Sequence, residues 1–225
     1  MSRRQGFHIP WGPVGVFAFA VAVTFVFWDT WLTWPIQLLV VFVHECGHAL
    51  AAILTGGEVR SLEIRTNLSG QARTVGGIPF VILQAGYLAS ALFGALLMVA
   101  ATRPRSARNT LLVLAVLLAG CGVAFSTGAF SPTLLFSLLI ATLFAWAARA
   151  APENVVRWGL VYIATVSALY SLIDIREDVL QWNAAGTSDA TMLAARTGIP
   201  ALVWGLAWAV IAIAIMGVAL RRILR

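Results

Sequence analysis

The sequence predicts an all-α polytopic membrane protein of about six to seven transmembrane helices, with a small β-hairpin inserted after the second apolar stretch. Three observations carry this reading. First, 60% of the 225 residues are hydrophobic and 11% are charged, whereas a soluble domain holds roughly 45–50% apolar and about 25% charged residues. Second, the apolar residues gather in runs near the length of about 20 that a helix needs to cross a bilayer core. Third, the 15 basic residues are all Arg and stand at the ends of those runs, where Arg anchors in lipid headgroups. The net charge of +6 therefore points to a lipid bilayer as partner and not to nucleic acid. A disordered chain and a secreted disulfide scaffold are excluded as well: the two cysteines, Cys46 and Cys121, both lie in apolar stretches. Several of the nine Trp residues flank the runs, as an interfacial aromatic belt does.

The elements follow in order. Val14–Trp28 comes after Arg3 and Arg4 and has the look of a signal peptide. No small-residue cleavage pattern precedes Trp28-Asp29-Thr30-Trp31, so it counts as a span. Leu32–Leu54 is a full span. Between Thr55 and Gly77 the apolar pattern breaks. Val59–Ile64 alternates in part, Asn67-Leu68-Ser69-Gly70 is a turn signal, Gln71–Val75 returns, and Gly56-Gly57 and Gly76-Gly77 bracket the whole. A β-hairpin at the membrane surface is expected there. Ile78–Ala101 is long, Thr110–Phe125 and Pro132–Ala148 are short, and Trp158–Ile175 follows. Residues 176–198 read as a polar loop carrying Asp178, Gly186, Asp189 and Gly198, and Ile199–Leu220 is the last span. The chain from 1 to 225 reads as one membrane domain. Arg3 and Arg4 put the N-terminus in the cytoplasm, and with it the 55–77 side on which the candidate site opens. The remaining Arg residues divide almost equally between the two sides.

Inside the second span stands His44-Glu45-Cys46-Gly47-His48, an H-E-x-x-H pattern. On a helix, His at i and i+4 lie one above the other, so both imidazoles reach one Zn²⁺. Glu45 beside them can take a proton from an activated water. Ionisable residues are costly within a bilayer and mark function by default. Eight residues from Cys46 to Leu54, at about 1.5 Å each, place the centre roughly 12 Å inside that end of the helix.

A three-ligand site needs one more group. His8 lies in the N-terminal tail, Asp29 at the far end of the neighbouring span, Glu58 and Glu63 in the hairpin, and Glu153 in a loop. Asp174, at the end of an apolar helix, is the expected third ligand; pairing with Arg176 or Arg157 is its bland alternative. Asp178, one turn on, is the alternative ligand. Asp189, in Thr187-Ser188-Asp189-Ala190, reads as a helix cap. In the third span, Gln84 and Tyr87 are candidates for hydrogen bonds to a substrate carbonyl or oxyanion, while Gly86 and Ser90 suit close helix packing.

At these residues the chain resembles the site-2 protease family of intramembrane zinc metalloproteases, in its short bacterial and plant branch. The resemblance rests on His44-Glu45-Cys46-Gly47-His48-Ala49-Leu50, the Gly-rich hairpin ending in Gly76-Gly77, Gln84-Ala85-Gly86-Tyr87-Leu88-Ala89-Ser90, Asp174 through Asp178, Ser188-Asp189-Ala190 and Trp204-Gly205, over roughly residues 35–210. It implies that His44, His48 and a distant Asp bind zinc and that Glu45 is the base. It also implies a transmembrane protein substrate and a bacterial cell membrane as location. Two motifs depart from the family. Its Leu-Asp-Gly reads Ile173-Asp174-Ile175 here, and its Ala-Gly-Pro…Asn reads Ala85-Gly86-Tyr87…Ser90.

The leading expectation is thus a zinc-dependent intramembrane metallopeptidase. The competing classes are a non-catalytic membrane scaffold or chaperone that keeps the fold, and a metal transporter; the internal repeats that transporters usually show are not seen. One strand of the 55–77 hairpin is expected to hold an extended substrate beside His44 and His48 by β-addition, with a passive surface loop as the alternative. Substrate identity and oligomeric state are not legible in the sequence.

Overall fold

The computed structural model describes residues 11–28, 30–180 and 188–223. Its elements are α1 (Trp11–Val26), α2 (Trp34–Leu54), β1 (Glu58–Ile64), β2 (Gly70–Val75), α3 (Pro79–Ala100), α4 (Pro104–Phe125), α5 (Pro132–Ala150), α6 (Glu153–Leu180), α7 (Asp189–Thr197) and α8 (Ala201–Ile223). Six helices, α2 to α6 and α8, are long and apolar enough to cross a membrane, and α1 is a shorter apolar helix. Arg3 and Arg4, on which the expected orientation rests, lie outside the described residues.

Proline sets the starts. It stands in the first turn of α2, α3, α4 and α5, where its missing N–H costs nothing and its fixed φ suits the helix. This explains why α4 reaches full span length: it begins at Pro104, six residues before the apolar run opens at Thr110, while α5 starts at Pro132 as expected and gains its length at the other end, at Ala150. Arginine closes two of the ends. Arg108 donates to the carbonyls of Ala148 and Ala151 at the end of α5, and Arg157 donates to Ala101 at the end of α3 (2.8 Å). Both supply donors to carbonyls that a helix end leaves unpaired.

Helix α2 is the most deeply buried of the six spans. It packs against α3 and α6, α3 packs in turn on α6 and α8, and α4 pairs with α5. The core joins Leu39, Val40 and Phe42 of α2 with Leu97 and Met98 of α3 and Leu160 of α6. Two core residues come from the hairpin, Leu62 and Ile64.

That burial revises the expected surface placement of the hairpin. After leaving α2 at Leu54, the chain turns back and runs along the same helix. The tip reaches its start, where the Trp34 indole N–H donates to the Thr66 carbonyl (2.9 Å). Twenty residues of helix separate Trp34 from Leu54, a rise of about 30 Å, so the hairpin follows α2 through its depth. β1 and β2 pair antiparallel with Leu62 opposite Ala72 and Ile64 opposite Gly70. The outer edge of β1 is tied to α5, since the Ile64 amide donates to Thr133 Oγ1 (3.0 Å). Gly76 and Gly77, at φ +74° and +75°, turn β2 into α3 through a conformation that side chains resist.

The segment expected as a polar loop holds more structure. Helix α6 continues to Leu180, and residues 189–197 form α7. Ser188 caps α7, its side chain accepting from the Thr191 amide (3.3 Å), and Gly198 closes it at φ +74°.

Candidate metal centre

The unbroken apolar run of α2 carries His44 and His48 onto the face that meets α3 and α7. Their Nε2 atoms stand 2.9 Å apart. Asp189, the first residue of α7, brings its Oδ2 to 3.1 Å from His44 Nε2 and 3.0 Å from His48 Nε2. Among the described residues this is the group of His, Cys, Asp or Glu that converges as a metal site does. The Asp189 carboxyl is pushed up by burial, but the two imidazoles against it outweigh that and hold it well below the usual carboxylate range.

The third partner is therefore Asp189, where the sequence pointed to Asp174 with Asp178 as alternative. The physical reason lies in α7. Ser188 performs the capping that Asp189 was expected to perform, which frees the Asp189 carboxylate to face the histidines. Asp174 stays on α6 and lines a separate cavity with Trp28 and Trp34. The backbone of Asp178 continues α6; its side chain lies outside the described residues.

The donor set fits a divalent metal ion. Ligand bonds of about 2.0–2.1 Å in a tetrahedral site put donor atoms roughly 3.3 Å from one another, and the observed triangle of 2.9, 3.0 and 3.1 Å is within a few tenths of that. The tautomer suits as well. His48 Nδ1–H donates to the Ile82 carbonyl (2.7 Å), which leaves Nε2 as the lone-pair atom facing the centre. On the far side lies Gly86 of α3. A Cβ there would meet His44 Nε2 at 2.4 Å and His48 Nε2 at 2.6 Å, so the space beside both nitrogens exists because residue 86 has no side chain. Gly47 plays the matching part on α2: a Cβ would strike the Ala85 carbonyl at 2.6 Å. Two glycines thus let α2 and α3 close on the site.

Around this triangle the other expected residues divide. Glu45 is buried and turned to the hairpin. Gly70, which opens β2, lies against it so closely that a Cβ would reach Oε1 at 2.4 Å, and the Ala72 backbone N–H faces the carboxylate. Tyr87 is brought in: its ring stands edge-on to His44 at 4.8 Å and stacks on buried Trp208 at 4.7 Å, which fixes the imidazole plane. Gln84 is not brought in. Its amide donates to the Phe80 carbonyl one turn back along its own helix (3.1 Å). Cys46 turns the other way, its thiol meeting Cys121 of α4, and neither cysteine is in a disulfide. Asp189 and Gly86 are the site residues that sequence reasoning passed over as cap and packing. The signal for Asp189 was the Ser before it, which already supplies a cap.

The family described as Peptidase M50B-like matches residues 17–219. The chain belongs to this family. It is a site-2 protease family domain, and its members are membrane metalloproteases, in agreement with the six apolar helices and the His/His/Asp cluster seen here. No curated protein and no solved structure matches the chain. In this M50B-like protein the H-E-x-x-H motif is His44 through His48, and the distant acid that meets it is Asp189.

Proposed function

We propose that the protein is a zinc-dependent intramembrane protease that hydrolyses peptide bonds of transmembrane proteins. The observation that carries this is the convergence of His44, His48 and Asp189 beside a buried Glu45 within a family of membrane metalloproteases. His44, His48 and Asp189 would hold the ion, which supplies Lewis-acid activation of water and of the scissile carbonyl. Glu45 receives the proton that the attacking water loses and delivers it to the departing amine nitrogen. Tyr87 and the Ile82 carbonyl hold the two imidazoles in register.

The substrate must be extended before attack, because a helical peptide bond is shielded by its own hydrogen bonds. β2 offers the edge for this, since β1 is engaged on its outer side by Thr133. An extended segment entering between β2 and α2 takes over the Ala72 amide that now faces Glu45, in the β-addition mode. That leaves Glu45 free to act. The same cluster speaks against a passive scaffold, in which a carboxylate and two histidines at this depth would cost stability without return.

Glu45→Gln is the test. It should keep bound zinc at the wild-type level and lower cleavage of a synthetic transmembrane peptide by about 100-fold or more, the range of a lost general base. Wild-type turnover in this variant would remove Glu45 from its role.

A further inference from the structure

Away from the metal centre, a cavity of about 250 Å³ lies in the apolar part of the bundle. Helix α8 lines it with Ala212, Ile213, Met216, Gly217 and Leu220, spaced at the three- and four-residue steps that share one helix face. Helix α6 contributes Thr165, Ala168 and Leu172, α3 contributes Ala91, and α1 contributes Phe17. Ala91 is buried while Ile213 is 58% exposed, so the cavity runs from the core to the outer surface of α8. Both α6 and α8 are spans, and the mouth therefore opens where lipid chains cover the protein. Gly217 marks the open part: a Cβ there would meet no packed neighbour within 4 Å. The walls offer no free donor. Thr165 gives its hydroxyl proton to the Val161 carbonyl (2.8 Å) and Ser171 to the Ser167 carbonyl (3.0 Å), each within α6. Apolar cavities of about 150 Å³ already stay free of water and take up apolar ligands. Left empty, such a space forfeits the dispersion contacts of its lining.

The charge at one end of the cavity selects the occupant. Along α8 the lining runs from Ala212 to Leu220, a rise of about 12 Å. That is most of the roughly 15 Å depth of one leaflet's hydrocarbon. The next two residues are Arg221 and Arg222, in the last turn of α8. Both are exposed, and among the described residues neither takes part in an ion pair. Arginine at the end of a span lies at the depth of the lipid phosphates. An acyl chain lying in the cavity thus carries its own headgroup to two unpaired cations.

We propose that this is a binding site for one anionic phospholipid, with an acyl chain in the cavity between α6 and α8 and the phosphate held by Arg221 and Arg222. Ala91 and Ala212 stand one turn on from Tyr87 and Trp208, the stacked pair whose Tyr87 faces His44. The bound chain therefore fills the bundle one turn from the packing that positions the metal centre. The inference does not depend on the proteolytic reading, and its test needs no cleavage.

The purified protein is titrated with phosphatidylglycerol or phosphatidylcholine of the same chains, and bound lipid is read by native mass spectrometry. Wild-type protein should hold one phosphatidylglycerol about 10-fold more tightly than phosphatidylcholine, the preference that two arginines at the surface give an anionic headgroup. The double variant Arg221→Gln/Arg222→Gln should lose that preference. Gly217→Phe, which fills the open part of the cavity, should weaken retention of both lipids by about 10-fold, a ring in place of the chain contacts, while zinc content stays at the wild-type level. Equal retention of the two lipids by wild-type protein would overturn the proposal. So would undiminished lipid binding by Gly217→Phe. A dimer that excludes lipid, and that Gly217→Phe disperses, would assign the cavity to a second copy of the chain and overturn a lipid site. If Gly217→Phe does not fold, the arginine variant decides alone: a phosphatidylglycerol preference that survives the loss of both arginines contradicts the site.

Discussion

At the scale of single residues, the metal centre depends on an absent side chain as much as on those present. Gly86 leaves the space that His44 and His48 Nε2 face. Gly86→Ala should therefore lower bound zinc by about 10-fold or more, because a methyl group at 2.4 Å from one nitrogen and 2.6 Å from the other forces both rings aside. Metal analysis of the purified variant checks this, and full zinc occupancy would show that the rings have room to give. His44, Glu45 and His48 were legible in the sequence because their chemistry is local: helical period alone puts i and i+4 on one face. The third acid was not, because two Asp residues on different elements competed and sequence carries no distance between α2 and the 170–190 region. Asp189 was masked by a good local explanation, since Ser-Asp at a helix start reads as a cap. Asp174 attracted the role because it is a carboxylate in an apolar helix, and the structure places it on the wall of a separate cavity with Trp28 and Trp34.

At the scale of elements, the hairpin is where sequence and structure agree on form and part on place. Val59–Ile64 and Gln71–Val75 became β1 and β2 with a one-residue adjustment at each start, because alternation and turn residues are short-range signals. Its run along α2 was not legible, since burial of Leu62 and Ile64 is decided by what α2 and α5 present to them. This changes which variant is informative. Leu62 is fully buried in the core, so Leu62→Pro would damage packing and edge together. Ala72 lies on β2, and Ala72→Pro removes the amide that faces Glu45. Cleavage should fall by up to about 10-fold, one neutral backbone hydrogen bond to the substrate at roughly 0.5–1.5 kcal/mol, with zinc unchanged. Unaltered cleavage by Ala72→Pro would remove β2 as the strand that receives substrate.

At the scale of the whole molecule, the class was plain from composition and the count of spans needed the proline and arginine ends of α4 and α5 to become definite. What composition could not show is that the residues able to hold a metal come from distant parts of the chain, His44 and His48 from α2 and Asp189 from α7. A ligand bound only by the folded form stabilises it by about 2.7 kcal/mol at 100 times its Kd, so removing zinc with a chelator should lower the midpoint of thermal unfolding by several degrees. Glu45→Gln should show the same shift and Asp189→Asn little or none; an equal shift in all three proteins would mean that the metal binds elsewhere. The central claim is that Asp189, and not Asp174, completes the site with the two histidines. It is tested most directly by zinc content per polypeptide in wild type, Asp189→Asn and Asp174→Asn purified side by side. The account expects about one zinc in wild type and Asp174→Asn, as a three-ligand site holds, and a loss of most of it in Asp189→Asn. Zinc retained in Asp189→Asn and lost in Asp174→Asn would contradict it.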